Sequence, residues 1–240
     1  MNITVIHGQS HRGVTYHMTY AVLNHIPGQK NIQEFFLPTD GPTCCVGCNQ
    51  CFLQGEEHCP QAAKVQPIMA AMEAADLIVL TSPNYCMEMS GAMKTLLDHF
   101  AYRWVTHRPH GAMFTKVGLT VSSSAGAPAS HTTKSLAKQL RWMGVAKQYQ
   151  FPLICHAMGV EYLDEKTQAK VERTAQRLAK KLEHRLAHPK PSLTGKVLFA
   201  LFQKMQSGEA AAWNPTDRQW WVEQGWLDGK KPWQKGRDGV

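Results

Sequence analysis

The stretch DLIVLTSPNYCMEMSGAMKTLLDHF, Asp76–Phe100, changes character twice. Residues 77–80 are all Leu, Ile or Val with no polar alternation, the pattern of a strand covered on both faces. Pro83 stiffens the exit, a polar and aromatic turn follows, and a helical pattern runs over about 90–102. Working outward, the same unit repeats. NITVIHG (Asn2–Gly8), IQEFFL (Ile32–Leu37), KVGLTVSS (Lys116–Ser123) and KQYQFPLI (Lys147–Ile154) read as four further strands. Helical patterns lie between and after them at about 15–26, 61–75, 129–143 and 165–187. In the last, Val171, Ala175, Leu178 and Leu182 form an apolar stripe and the charges take the solvated face. Strict alternation of strand and helix predicts a doubly wound, five-stranded parallel α/β sheet, for which the order 2-1-3-4-5 is suited.

The chain has 240 residues, 43% hydrophobic and 18% charged, enough for one large domain with an appendage. Composition shifts after HPKPS (His188–Ser192), so residues 1–190 are expected as the α/β domain and 191–240 as an extension. That extension holds an amphipathic helix, GKVLFALFQKMQ, and five of the seven tryptophans: Trp213, Trp220, Trp221, Trp226 and Trp233. So much aromatic area is expected to be buried, on its own domain or on a second subunit; contact with a membrane surface is the alternative for the helix, whose apolar run is short. The start of the chain lacks a basic segment followed by an apolar core, and no apolar run approaches the roughly 18 residues of a membrane span. Seven cysteines, five of them in one loop, argue against a secreted disulfide framework and for a reducing cytoplasm. The net charge of +8 points to an anionic partner. With no nucleic-acid-binding module, a phosphorylated cofactor fits that charge better.

Such a cofactor has a candidate seat. In sheets of this kind ligands bind beyond the carboxyl ends of the strands, where chain order reverses, between strands one and three. The loop after strand one, HGQSHRGVTYHMT, offers Gln9, Ser10, His11, Arg12 and Thr15 as donors beside Gly8 and Gly13. A helix start there favours a phosphate; the alternative is an ordinary polar turn with Thr15 as its cap. Neither GxGxxG nor a nucleotide-hydrolysing P-loop is present. After strand four, VSSSAGAPAS (Val121–Ser130) brings Ser122, Ser123, Ser124 and Gly126, small and polar enough to lie against a flat ring or simply to turn. No G-x-S-x-G elbow supports a serine hydrolase, and His7, His107, His110 and His131 lack zinc spacing.

Two of these loops resemble those of the NADPH-dependent FMN reductase family, which has a flavodoxin-like fold. Ser82, Pro83, Tyr85, Ser90, Met93, Lys94 and Asp98 match its S-P-x-Y-x-x-x-x-S-x-x-(L/M)-K-x-x-(L/I)-D pattern. The first loop resembles its G-S-x-R-x-x-N-T, with Gln9 in place of the first Ser, His11 near the usual Arg, Val14 in place of Asn, and Thr15 retained. The resemblance covers about residues 1–155. It implies FMN, with its phosphate on Gln9–Thr15, its isoalloxazine on Pro83, Asn84, Tyr85, Cys86 and Met87, and the serine loop flanking it. It further implies NAD(P)H as co-substrate, hydride transfer through flavin N5, and a quinone, flavin or other small molecule as acceptor. A homodimer or higher homo-oligomer also follows, and no side chain as acid or base.

CCVGCNQCFLQGEEHCP (Cys44–Pro60) spaces its thiols as Cys45-x2-Cys48-x2-Cys51-x7-Cys59, with Cys44 extra. A compact run plus a distant cysteine can supply four thiolates to a [4Fe-4S] cluster, whereas structural zinc usually takes two separated knuckles. The loop resembles the ligand loop of iron–sulfur flavoproteins, usually with a somewhat shorter last gap. Reduced thiols or a redox pair fit the same spacing. Two other classes therefore stand beside the reductase: an electron-transfer iron–sulfur flavoprotein and a flavin-binding redox sensor.

Overall fold

The computed structural model describes residues 1–209 and 213–234. Five parallel strands, β1 (Asn2–His7), β2 (Asn31–Phe36), β3 (Leu77–Thr81), β4 (Val117–Ser124) and β5 (Lys147–Ile154), pair in the order β2-β1-β3-β4-β5. The expected flavodoxin-like order is the one observed. Helices α1 (Val14–His25), α2 (Gln50–Leu53), α3 (Ala62–Ala74), α4 (Gly91–Asp98), α5 (Ser130–Trp142) and α6 (Glu165–Ala187) lie between and after the strands.

The apolar runs are unbroken because both faces of the central strands are covered. Leu77 and Val79 of β3 face a core with Met18, Val22, Leu23, Val171 and Leu182 of α1 and α6. Ile78 and Leu80 face the opposite core, with Ile68 and Met72 of α3, Leu96 of α4 and Leu140 of α5. Helix α4 stops at Asp98, earlier than the sequence pattern, and Ala101–Arg103 tightens into a 3₁₀ turn. Between them the His99 ring turns inward, its Nε2 2.9 Å from the Thr43 carbonyl.

The extension folds back on its own chain. Helix α7 (Leu193–Ser207), helix α8 (Pro215–Glu223) and the turn after it place Phe199, Trp221 and Trp226 respectively in a third core with Val105 and Phe114. Two indoles also donate hydrogen bonds there, Trp221 Nε1 to the His107 carbonyl (2.6 Å) and Trp220 Nε1 to that of Pro109 (3.0 Å). Trp213 departs from the expected burial and is 66% exposed. Helix α8 escaped the sequence reading, although NPTD is a helix-start signature. Asn214 caps the Asp217 amide at 3.2 Å and Pro215 fills the first helical position. Among the described residues no helix is long and apolar enough to cross a membrane.

Candidate active site

The loops after β1, β3 and β4 meet at the carboxyl end of the sheet. Ladder hydrogen bonds carry past the strands: Gly8 N to Thr81 O (2.7 Å), Ser82 N to Val121 O (3.0 Å) and Asn84 N to Ser123 O (2.9 Å). Ser90 caps α4 by accepting from Met93 N and donates to the Gly8 carbonyl at 2.6 Å. Its own amide donates to Ser82 Oγ at 2.8 Å. The approach is close enough that a Cβ on Gly8 would lie 2.8 Å from Ser90 Oγ and 3.0 Å from the Thr81 carbonyl.

Helix α1 begins at Val14 with Gly13 as N-cap, so Thr15 lies inside the helix rather than capping it. No side chain caps this end and no acidic residue lies in its first turn, which leaves it electropositive. Thr15 is buried and its hydroxyl is 2.8 Å from Ser123 Oγ. The pair holds two hydroxyl protons and uses one between them, leaving one to donate. Ser10, His11 and Arg12 are exposed, Gln9 is half-buried, and Val14 is buried. The Arg12 guanidinium lies over Tyr16 (5.2 Å) and Phe36 (5.8 Å), on the β2 side of the loop.

Tyr85 and Glu88 exchange both backbone hydrogen bonds (2.9 and 3.0 Å), closing a two-residue turn over Cys86 and Met87. Both turn residues have positive φ, 50° and 67°, the type I′ geometry that Asn-Gly adopts without cost. Tyr85, Cys86 and Met87 are exposed, while Glu88 anchors the turn by accepting from Ser135 Oγ at 2.9 Å. Nothing in the side-chain types marks this strained turn, and strain of this kind collects at functional sites. Cys86→Asn/Met87→Gly is expected to raise stability by about 1–2 kcal/mol. Urea unfolding would measure it, and an unchanged midpoint would remove the strain argument.

The serine loop divides. Ser123 joins Thr15, and Gly126 is exposed with open space around it. Ser124 donates to the Ala127 carbonyl. Ser122 lies within β4, fully buried, its hydroxyl without a protein partner, and so does not reach the loop surface expected of it. A residue not singled out as a site candidate also closes this end. His7 lies between Glu34 (Nε2 to Oε1, 2.9 Å) and Thr81 (Nδ1 to Oγ1, 3.3 Å) and stacks on Phe36 at 4.4 Å. Burial holds its pKa below the ordinary 6.5 despite Glu34, and burial lowers that of His110 likewise. Below about pH 6.5 the folded chain therefore binds fewer protons than the unfolded one. Stability is expected to be complete above that pH and to fall as acidification proceeds through it. Melting from pH 8 to 5.5 would show this, and His7→Asn should flatten the fall.

The cysteine loop packs farther along α4. Cys44, Cys45, Cys48, Cys51 and Cys59 line a cavity of about 110 Å³, which Phe52, Asp98 and His99 also border. Cys44 Sγ is 3.8 Å from Thr95 Oγ1 and Cys59 Sγ is 3.7 Å from His99 Nδ1. Thr95 and His99 follow Ser90 by five and nine residues, about 7 and 13 Å along a helix. All seven cysteines are free thiols. Burial, followed by the neighbouring Cys59, pushes the Cys51 thiol up to about 11. Among the described residues no three His, Cys, Asp or Glu side chains converge closely enough to hold a metal ion.

Arg108 and Thr216 tie this loop to the extension. Arg108 donates to the Cys51 carbonyl and lies 3.2 Å from Glu56 and 2.6 Å from Asp217 of α8. His107 Nδ1 and Asn214 Nδ2 meet the other Asp217 oxygen at 2.6 and 2.7 Å. Arg103 joins Glu56 (3.0 Å) to Glu73 of α3 (2.8 Å), and Thr216 donates to the Leu53 carbonyl at 2.9 Å.

The family model of NADPH-dependent FMN reductases matches residues 1–154, which contain all three loops and the cysteine segment. The chain belongs to the NADPH-dependent FMN reductase family. Solved structures share the fold at low identity. An oxidoreductase from Corynebacterium diphtheriae is 13% identical, with a TM-score of 0.56 over 79% of this chain and 99% of that one. The flavoenzyme NAD(P)H:(acceptor) oxidoreductase FerB from Paracoccus denitrificans is 14% identical, with a TM-score of 0.53 over 78% and 97%. An iron–sulfur flavoprotein of Methanocaldococcus jannaschii is 41% identical over 54 residues. That match spans 22% of this family member and 27% of the relative's length.

Proposed function

We propose that the chain is an FMN-dependent NAD(P)H oxidoreductase with its flavin between the loops after β1 and β3. The observation that carries this reading is the hydrogen bonding that laces the three loops together at the carboxyl edge of the sheet, within the segment that the family model matches. The residues fit the group. An uncapped helix start beside Gln9, Ser10, His11 and Arg12 suits a phosphate, and Thr15 with Ser123 retains one proton to donate. Pro83, Asn84, Tyr85, Cys86 and Met87 would carry one side of the ring, with Ser124 and Gly126 near its edge. Bound there, FMN would supply hydride-transfer chemistry between a nicotinamide and a quinone, a flavin or another small acceptor. No side chain is assigned as acid or base; the protein binds, orients and shields. The same reading places the chain in the cytoplasm as a homo-oligomer, which light scattering would measure. Purification with flavin extraction and an NAD(P)H oxidation assay tests the core of it. A protein that binds no FMN, or binds it and oxidises neither nicotinamide, overturns it.

The cavity ringed by cysteines favours a second reading, an iron–sulfur flavoprotein. Cys45, Cys48, Cys51 and Cys59 are the right donors for a [4Fe-4S] cluster, and the partial match to an iron–sulfur flavoprotein supports it. Cluster assembly would require the exposed Cys45 and Cys48 to move in and Cys51 to lose its proton. Anaerobic iron and acid-labile sulfide assays decide it: about four irons per chain support the cluster, and none leaves the loop as free thiols.

A further inference from the structure

Helix α7 is apolar on two opposite faces. One turns Phe199 into the third core, 1% exposed. On the other, Leu193, Val197 and Leu201 recur at i, i+4 and i+8 and are 79%, 59% and 58% exposed, with Ala200 exposed beside them. Elsewhere in the molecule such a stripe is covered: Val171, Ala175, Leu178 and Leu182 of α6 are all buried. Three large aliphatic side chains in line on one exposed helix face mark a surface with a partner.

Charge identifies the kind of partner. From His184 to Gly208 the chain contains no Asp or Glu, while Lys190, Lys196 and Lys204 are all exposed. A second copy docked through this face would bring the same lysines together with no acid in the segment to pair them. A sheet of anionic headgroups neutralises every one of them while the Leu193–Val197–Leu201 stripe enters the acyl boundary, as interfacial helices do. We infer that α7 docks the protein reversibly on an anionic phospholipid surface, lying in its plane. This inference is independent of the flavin reading.

The test is sedimentation of the full-length protein with phosphatidylcholine vesicles and with vesicles containing phosphatidylglycerol, at low and high salt. Binding is expected with phosphatidylglycerol, weaker at high salt, and near zero with phosphatidylcholine alone. Lys196→Glu/Lys204→Glu should weaken it by about 25-fold or more, at roughly fivefold per lysine lost. Val197→Ser/Leu201→Ser should weaken it at least about tenfold while melting like the parent, since both side chains are exposed. The inference is overturned if the parent does not sediment with phosphatidylglycerol vesicles. It is overturned equally if Val197→Ser/Leu201→Ser binds them as well as the parent, which would leave charge attraction alone. A parent dimer that this variant converts to monomer would assign the face to a second copy and overturn it too.

Discussion

Asp217→Ala is expected to lower stability by about 3–5 kcal/mol, the cost of leaving a buried partner charge unpaired. Asp217 is fully buried and serves three donors: the Arg108 guanidinium at 2.6 Å, His107 Nδ1 at 2.6 Å and Asn214 Nδ2 at 2.7 Å. Arg108 is itself 3% exposed, and Glu56 at 3.2 Å compensates only in part because it sits nearer the surface. Asp217→Asn keeps the shape but not the charge, and should lose most of the same energy. The loss should travel. Arg108 also holds the Cys51 carbonyl, and Thr216, one residue from Asp217, holds that of Leu53. Cys51 should therefore be alkylated faster in both variants than in the parent under native conditions. Urea midpoints and timed alkylation measure the two effects. A loss below about 1 kcal/mol, the level of an exposed pair, would mean that this network is not what docks α8.

Gly8→Val is expected to cost about 1–3 kcal/mol of stability and to weaken FMN binding by a factor of about 30, or 2 kcal/mol. The first added carbon would lie 2.8 Å from Ser90 Oγ, 3.0 Å from the Thr81 carbonyl and 3.2 Å from Met93 Cβ. Ser90 could rotate, but only by giving up both the Gly8 carbonyl and the α4 cap. The Thr81 carbonyl cannot rotate, so the loops after β1 and β3 must part, and these are the proposed walls of the flavin cleft. Gly126→Ala is the control for stability, because a Cβ there meets nothing within 4 Å. FMN titration and thermal melting would read both variants. A Gly8→Val protein that binds FMN like the parent would place the flavin away from this seam.

Much of this was legible in the sequence because it depends on local pattern. The run at 77–80 reads as a strand buried on both faces, and Leu77/Val79 against Ile78/Leu80 do divide between two cores. Gly8, Thr15 and Ser123 stood out by type and position and Ser90 through the family resemblance, and hydrogen bonds join Thr15 to Ser123 and Ser90 to Gly8. Three features were not legible. Thr15 was a plausible cap until Gly13 proved to be the N-cap, a difference of two residues in where helical dihedrals begin. Ser122 was grouped with its neighbours, but alternation along β4 sends it to the opposite face from Ser123. Strain at Cys86 and Met87 is a property of backbone angles, to which their side chains give no clue.

The sequence by itself determined the five strands, their alternation with helices and the loops that follow strands one, three and four, since local apolar periods and turn residues act over neighbours in the chain; the order β2-β1-β3-β4-β5 came from the structure. Only the tertiary structure decided that Asp217 pairs with Arg108 across 109 residues and so joins the extension to the cysteine loop. It alone placed His7 between Glu34 and Thr81, and left Leu193, Val197 and Leu201 facing outward while Phe199 turns in. The physical reason is common to all three. Which partner a charge or an apolar face meets depends on how distant segments pack, and no local period encodes that.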